Sequence, residues 1–450
     1  MPSDDLDYLI TEQEGRSMNT VTPNPNSDQQ KTLQPESGNE ITEADQNPKP
    51  RIQKVSKMLR DNKNMEKHYE PRAVSIGLLH YGIDKFSLAE GHKLKLAELF
   101  ITENGVDEFG LHRKIKTKIV RLKQCYAKED AKRVNISDED LAWKFLIDGF
   151  VLLHYIGYAS LGKLNDLKKI GMDMEAFSLD LFLLENQLPY EVLDDIMTSA
   201  AKGGADMRNL IDKFIDQTVR DIRGSPLTPP LPTSTSTSPQ QQQPQPAHLL
   251  QLLRDRLVGH HEMDEKTKTG KRVGRVTELK SAGIQLKSSK EGSLRDNVTF
   301  APHWITGTLT LPCLVFNDWT TPKLLNLIAF EMCPDFQNDS QVITSYIFFL
   351  HSLIDQSDDV KELRKAHVLV INNNNNSVAG MDEEVVRLFK EIGSSDLDSI
   401  PEAYLEVKEL IHKHCEKKWK TWMTLFAFAA AAIALLAMSF SSRLGAPGSL

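Results

Sequence analysis

SLDLFLLENQLPYEVLDDIM, residues 178 to 197, is the stretch on which the reading of the fold turns. Leu179, Leu181, Phe182, Leu183 and Leu184 make it apolar enough to lie in a core. Ser178 is a residue type that caps helices, and Pro189 suits the first turn of a second helix. Between them stand Glu185, Asn186 and Gln187, three polar side chains inside an apolar run. Polar groups taken out of water must find partners. The expectation is that these three satisfy the free backbone groups of a tight junction between two buried helices. The functional alternative is the floor of a binding pocket.

Upstream, Ser137 followed by Glu139 and Asp140 signals a helix start. The apolar run LAWKFLIDGFVLLHYIGY continues it as a core helix. Lys144, Asp148 and His154 interrupt that run too often for a membrane span, and Asp148 and His154 are read as hydrogen-bonded core groups. Phe86 to Phe100 and Leu111 to Tyr126 repeat apolar residues at helical spacing. Before them, IQKVSKMLR reads as a short helix and HYEPRAVSIGLLHYG as an extended or looped segment, because Pro71 turns Glu70 away from helix.

Downstream, Leu210 to Ile222, HLLQLLRDRL from residue 248, Val276 to Ala282 and Met381 to Ile392 read as helices. Ile284 to Leu286, Val298 to Phe300 and Leu309 to Val315 read as short strands. Thr320 or Thr321 is expected to cap a helix with Pro322 in its first turn. Asp339 or Ser340 is expected to cap VITSYIFFLHSLI, and Asp358 to start DDVKELRKA. Pro401 begins a last helix with no breaker before the end of the run at Phe440. The fold class is therefore mainly α with a small β element, α+β.

That last helix leads into WMTLFAFAAAAIALLAMSF, residues 422 to 440, nineteen residues without a charge. At 1.5 Å per residue the run spans roughly 28 Å, close to a bilayer's hydrocarbon core. Phe426, Phe428, Ile433, Leu435 and Leu436 supply most of its apolar drive, with Trp422 and Phe440 at its ends. Lys413, Lys417, Lys418 and Lys420 precede it and only Arg443 follows, which puts the bulk of the chain in the cytosol. The expectation is a single-pass, tail-anchored protein of the plasma membrane or an endomembrane. Its partners are then the lipid bilayer and proteins not identified by the sequence. Ala427/Ala431 and Ala430/Ala434 are small enough for helix pairing, a route to a homo-oligomer.

Residues 1–50 hold ten acidic and three basic residues and few large apolar ones, and read as a disordered leader. Two halves of one domain, 51–223 and 248–420, flank a Pro/Ser/Thr/Gln-rich linker at 224–247. Residues 421–441 form the membrane helix and 442–450 a short tail. The net charge of −8 does not suggest a nucleic-acid binder. Four widely spaced cysteines indicate neither a zinc site nor a disulfide framework. No phosphate-cradling glycine loop, HExxH or GxSxG occurs. His412 and His414 point about 200° apart on a helix. No catalytic, cofactor or metal site is assigned, and an enzyme with dispersed residues is the minor alternative.

Several stretches, taken in order, carry a resemblance: YEPRAVSIGLLHYG, AWKFLIDGF, DLFLLENQLPYEVL, HLLQLLR, VTELKSAGIQL, GTLTLPCLVFNDWTTPKLLNLIAFEMC, SYIFFLHSLIDQSDDVKELRKA and MDEEVVRLF. Together they resemble the plant family called domain of unknown function 247, UPF0481-like plant membrane proteins. Its motifs fall on Ser75 and Gly77, on Glu185, Asn186, Gln187 and Pro189, and on Asn326 and Glu331, for which the resemblance implies structural roles. Leu78, Leu79, His80 and Tyr81 depart from the family's usual Pro, aromatic and paired His after the first motif. The resemblance implies a plant, membrane-associated protein without established catalysis. Some members are linked to pollen–stigma self-incompatibility in grasses, which makes a recognition or signalling determinant the alternative reading.

Overall fold

A computed structural model describes residues 52–200, 204–224, 245–259, 273–289, 292–336, 341–371, 380–393 and 404–444. The acidic leader, most of the Pro/Gln linker, the polyasparagine run, Asp339, Ser340 and Pro401 lie outside the described residues. The described residues belong to one compact unit beginning at Pro48.

Helix α1 (Ser87–Asn104) is followed by α2 (Glu108–Thr117) and α3 (Ile119–Gln124). The single helix expected over Leu111 to Tyr126 is thus broken at Lys118, with φ −99° and ψ 0°. The Lys118 ammonium there meets Asp195 at 2.6 Å and Glu191 at 2.9 Å. Helix α4 (Asp138–Ser160) starts where Ser137 Oγ accepts the Asp140 N–H at 3.1 Å. Three acidic residues in its first turn suit the positive end of the helix dipole. Leu141, Phe145, Val151 and most of their neighbours in α4 are buried.

Helix α5 (Met174–Asp180) is capped by Asp173, whose Oδ1 accepts the Glu175 and Ala176 N–H groups at 3.0 Å. Ser178 lies inside this helix, so the cap expected there is displaced five residues upstream. The chain then turns through Leu181–Pro189 without a helix. Helix α6 (Tyr190–Ser199) follows immediately after Pro189, and α7 (Gly204–Arg223) after it. α1, α2, α6 and α7 all pack on α4, the hub of this layer. At Gly149 the absence of a side chain lets Ile196 of α6 approach the α4 backbone.

Helix α8 (Leu249–Val258) and α9 (Val276–Ser281) lead into strands β1 (Ile284–Ser289), β2 (Thr299–Pro302) and β3 (Gly307–Pro312). The sheet order is β1-β3-β2. β1 runs parallel to β3 with Ile284 opposite Gly307, and β2 antiparallel with Thr299 opposite Thr310. The strand expected over Leu309 to Val315 is two strands in two sheets. Pro312 has no N–H for the ladder. At Cys313 the chain parts from β1, and β4 (Leu314–Phe316) pairs in parallel with β5 (Leu369–Ile371).

Helix α10 (Thr320–Glu331) takes its cap from Asn317, whose Oδ1 accepts from Trp319 N at 2.9 Å and Thr320 N at 2.8 Å. An Asn reaches these first N–H groups, so neither Thr320 nor Thr321 is the cap. Then come α11 (Val342–Leu353), α12 (Ser357–Lys365) and α13 (Met381–Gly393). α12 starts one residue before Asp358 because Gln356 and Asp359 form its capping box. The two flanks of the linker interlock: Arg223 donates to the carbonyls of Cys313 (3.1 Å) and Gly292 (2.8 Å).

Helix α14 (Leu405–Leu444) runs unbroken for 40 residues. Its first turns belong to the core, with Ile411 and His414 buried. Further along, Phe426, Phe428, Ile433, Leu435 and Leu436 are 62 to 72% exposed. Among the described residues no helix is long and apolar enough to cross a membrane, so a transmembrane helix is not shown. The side chains of Trp422 and Phe440 lie outside the described residues.

Candidate functional site

The extended strap Pro71–Leu78 belongs to no sheet, yet Val74, Ser75, Ile76 and Gly77 are buried. Buried backbone groups have to be paired. Here side chains do the pairing. The Asp180 carboxylate, at the end of α5, accepts from the N–H groups of Arg72 (2.9 Å), Ala73 (2.6 Å) and Val74 (2.9 Å). Asn186 takes the next pair, accepting from Ile76 N at 2.7 Å and donating to the Val74 carbonyl at 3.1 Å. The Ser75 carbonyl accepts from the Lys93 ammonium of α1 (2.5 Å) and Lys144 of α4 (3.2 Å). Gly77 N donates to Asp148 of α4 at 2.8 Å.

The loop Leu181–Pro189 is satisfied in the same way. Gln187 Nε2 donates to the carbonyls of Leu181 and Leu183, both at 2.8 Å. Its Oε1 accepts from Leu250 N, an end group of α8, at 3.1 Å. Glu185 accepts from Val55 N at 2.8 Å and from the Arg60 guanidinium at 2.7 Å. Asn326 of α10 accepts from Leu184 N at 2.9 Å and donates to the carbonyls of His68 and Pro322. Glu185, Asn186, Gln187 and Asn326 are each no more than 2% exposed. Pro189 is buried beside them and delivers the chain into α6.

Gly77 sets how closely strap and loop approach. Its φ is +69°, a backbone region that suits glycine. A Cβ there would overlap the Gln187 carbonyl oxygen and the Tyr126 hydroxyl. Those two atoms are themselves hydrogen-bonded at 3.0 Å.

Below the strap lies a charge cluster in which Lys93, Lys144 and Asp148 are buried and Glu90 stands at the exposed edge. Asp148 is held by Lys93 at 2.7 Å and Lys144 at 2.7 Å, and Glu90 reaches Lys93 at 2.7 Å and Lys144 at 3.8 Å. Two cations against two carboxylates leave the cluster neutral in sum. Burial lowers the Lys144 ammonium to about 8. Burial also opposes the charge on Lys93, but Asp148 and Glu90 outweigh it and leave that group raised. His80 Nε2 stands 3.8 Å from Glu185, yet burial first, then Lys85 and Arg60, bring the imidazole down to about 4. At neutral pH this contact is therefore a neutral imidazole beside a carboxylate.

Glu331 stands apart from the junction, at the far end of α10. It accepts from Arg254 Nε (3.0 Å), Thr344 N (2.8 Å) and Thr344 Oγ1 (2.8 Å), and from Ile343 N (3.3 Å). It therefore serves the free N–H groups at the start of α11. Of the motif residues, Ser75, Gly77, Glu185, Asn186, Gln187 and Asn326 meet in one place and Glu331 does not. Sequence reasoning passed over Asp180, Lys93 and Asn317. For Asp180 and Lys93 the available signal was a charge within a helical run, and for Asn317 a capping residue type just before a helix. Among the described residues no group of His, Cys, Asp and Glu is placed to hold a metal.

The family model described as a plant protein of unknown function, DUF247, matches residues 52–439. The chain belongs to this plant family. A UPF0481 protein of Arabidopsis thaliana is 25% identical over 387 residues, covering 78% of this chain and 75% of that protein. No solved structure matches the chain. The strap, the polar loop and α10 all lie within the span that the DUF247 model covers.

Proposed function

We propose that this DUF247 protein is a single-pass, tail-anchored membrane protein whose helical unit acts through protein contacts on the cytosolic side. The observation that carries the reading is the exposure along α14. Successive helical residues turn by about 100°, which puts Phe426, Met438, Leu435 and Leu436 at about 0°, 120°, 180° and 280° round the axis. All four are more than 60% exposed. An apolar surface on every side calls for an apolar surrounding rather than a one-sided partner. Leaving about six large side chains in water forgoes roughly 10 kcal/mol, as much as the whole stability of a typical domain. The lysines at 413, 417, 418 and 420 set the orientation.

Removal of residues 420 to 450 tests the anchor. The full chain is expected in the carbonate-resistant membrane fraction and the shortened chain in the supernatant. A shortened chain that stays in the membrane would refute the anchor. Proximity labelling from the cytosolic part is expected to mark a recurring set of proteins, and labelling no different from that of an inert anchored protein would remove the adaptor reading.

A further inference from the structure

The β2–β3 hairpin ends in two residues whose exposure the fold does not explain. His303 N bonds the Thr306 carbonyl at 2.8 Å, which leaves Trp304 and Ile305 as a two-residue loop. Such loops favour Asn, Asp or Gly. Here the residues are bulky and apolar, and they are 88% and 63% exposed. Neither has a positive φ, so turn geometry does not select them.

The hairpin is fixed against α14. β2 packs along that helix, and Phe300 meets the His414 ring edge-on at 5.5 Å. Lys418 Nζ donates to the Ala282 carbonyl at 2.7 Å, and Gly307 N to the neighbouring Gly283 carbonyl at 3.1 Å. A Cβ on Gly283 would also stand 3.2 Å from the Ile305 carbonyl oxygen. The loop is therefore level with residues 414 to 418 of α14. From Lys418 to Trp422 is four residues, or about 6 Å along the axis. The polar layer on each side of a bilayer is roughly 5–8 Å thick. The loop therefore falls at headgroup depth when Trp422 sits at the edge of the hydrocarbon. Trp419, on the same stretch of helix, is 70% exposed.

We propose that the Trp304–Ile305 loop is a second membrane contact, inserting into the headgroup and upper acyl region of the bilayer that α14 enters. The inference rests on the tail-anchor reading given above. Trp is suited to this layer because its ring is apolar and its N–H needs a polar partner. The exposed Lys417 and Lys420, on the adjoining turns of α14, meet anionic headgroups at this depth. With helix and loop both engaged, the folded unit is held at two points and keeps one face toward the lipid.

The test uses the full chain reconstituted in phosphatidylcholine/phosphatidylserine vesicles with brominated acyl chains, which quench nearby tryptophans. In a Trp419→Phe/Trp422→Phe background, tryptophan quenching is expected to persist and to be lost when Trp304→Phe is added. Quenching that is the same with and without Trp304, in chains that still resist carbonate extraction, overturns the loop contact and leaves the anchor standing. Release of the full chain by carbonate overturns the anchor and the loop contact with it. Trp304 is exposed, so its replacement leaves the fold intact, which circular dichroism checks.

Discussion

Asn186→Leu removes a side chain that three backbone groups depend on while keeping its size. Leucine cannot accept from Ile76 N, nor donate to the carbonyls of Val74 and Asp180. Each stranded buried group costs about 1–3 kcal/mol. The Asp180 carbonyl keeps a long contact from Leu183 N at 3.5 Å, so its loss lies at the low end. Burying the new leucine returns roughly 2 kcal/mol. The net is a destabilisation of about 1–5 kcal/mol, a large share of a typical domain's stability. Urea and thermal unfolding of the full chain in detergent micelles, followed by circular dichroism, read this loss. Hydrogen exchange localises it, because the Ile76 amide is expected to exchange faster while amides in the middle of α4 keep their order of protection. A loss below about 0.5 kcal/mol, the range of surface substitutions, with Ile76 still protected, would refute the account of the strap.

Three further perturbations separate other parts of the junction. Gly77→Ala forces a side chain onto a left-handed backbone and into the Gln187 carbonyl; a loss of at least about 3 kcal/mol is expected, and a change within 1 kcal/mol of wild type contradicts the close approach. Asp148→Asn leaves Lys93 and Lys144 buried with only Glu90 as counter-charge, so unfolding is expected about 3–5 kcal/mol earlier, measured by the same urea titration. His248 gives a pH dependence. Its Nδ1 accepts from Gln251 N at 3.2 Å at the start of α8, and burial holds the imidazole down to about 3. A depressed histidine stabilises the fold above the unfolded value near 6.5, and that stability is lost as pH falls from there toward 3. Each pH unit in this window costs up to about 1.4 kcal/mol. His248→Asn, which keeps a capping oxygen, is expected to flatten the slope between pH 6 and 4, and an unchanged slope rules this histidine out as its source.

The sequence showed the strongest parts of the fold because they obey local rules. Ser137 with three acids behind it starts α4, and the apolar spacing behind it sets the hub helix. Glu185, Asn186 and Gln187 stood out because three polar residues in a leucine-rich run need an internal explanation. Their partners were not legible. Val55, Val74, Ile76 and Leu250 lie 63 to 130 residues away, and a hydrogen bond to a backbone leaves no mark on the residue that receives it. The same holds for caps supplied from a distance, as where Glu331 serves the start of α11. Where two caps competed locally, Asp173 took the place expected of Ser178, and the helix began earlier than its apolar run. The break at Lys118, where the side chain meets Glu191 and Asp195 of α6, is a tertiary feature that helical spacing alone does not contain. The division of Leu309 to Val315 between two sheets depends on β5, a strand of only three residues too short to announce itself.

The strap from Pro71 to Leu78 has a bearing on the order of folding. Asp180 and Asn186, which hold its amides, lie 106 to 112 residues away in the chain. Lys93, Lys144 and Asp148 come from helices that must already be side by side. Contacts so distant in sequence carry a large loop-closure cost and form after local helices have assembled. The strap is then a late closure laid over a finished helical layer, and its substitutions should speed unfolding while leaving the refolding rate nearly unchanged.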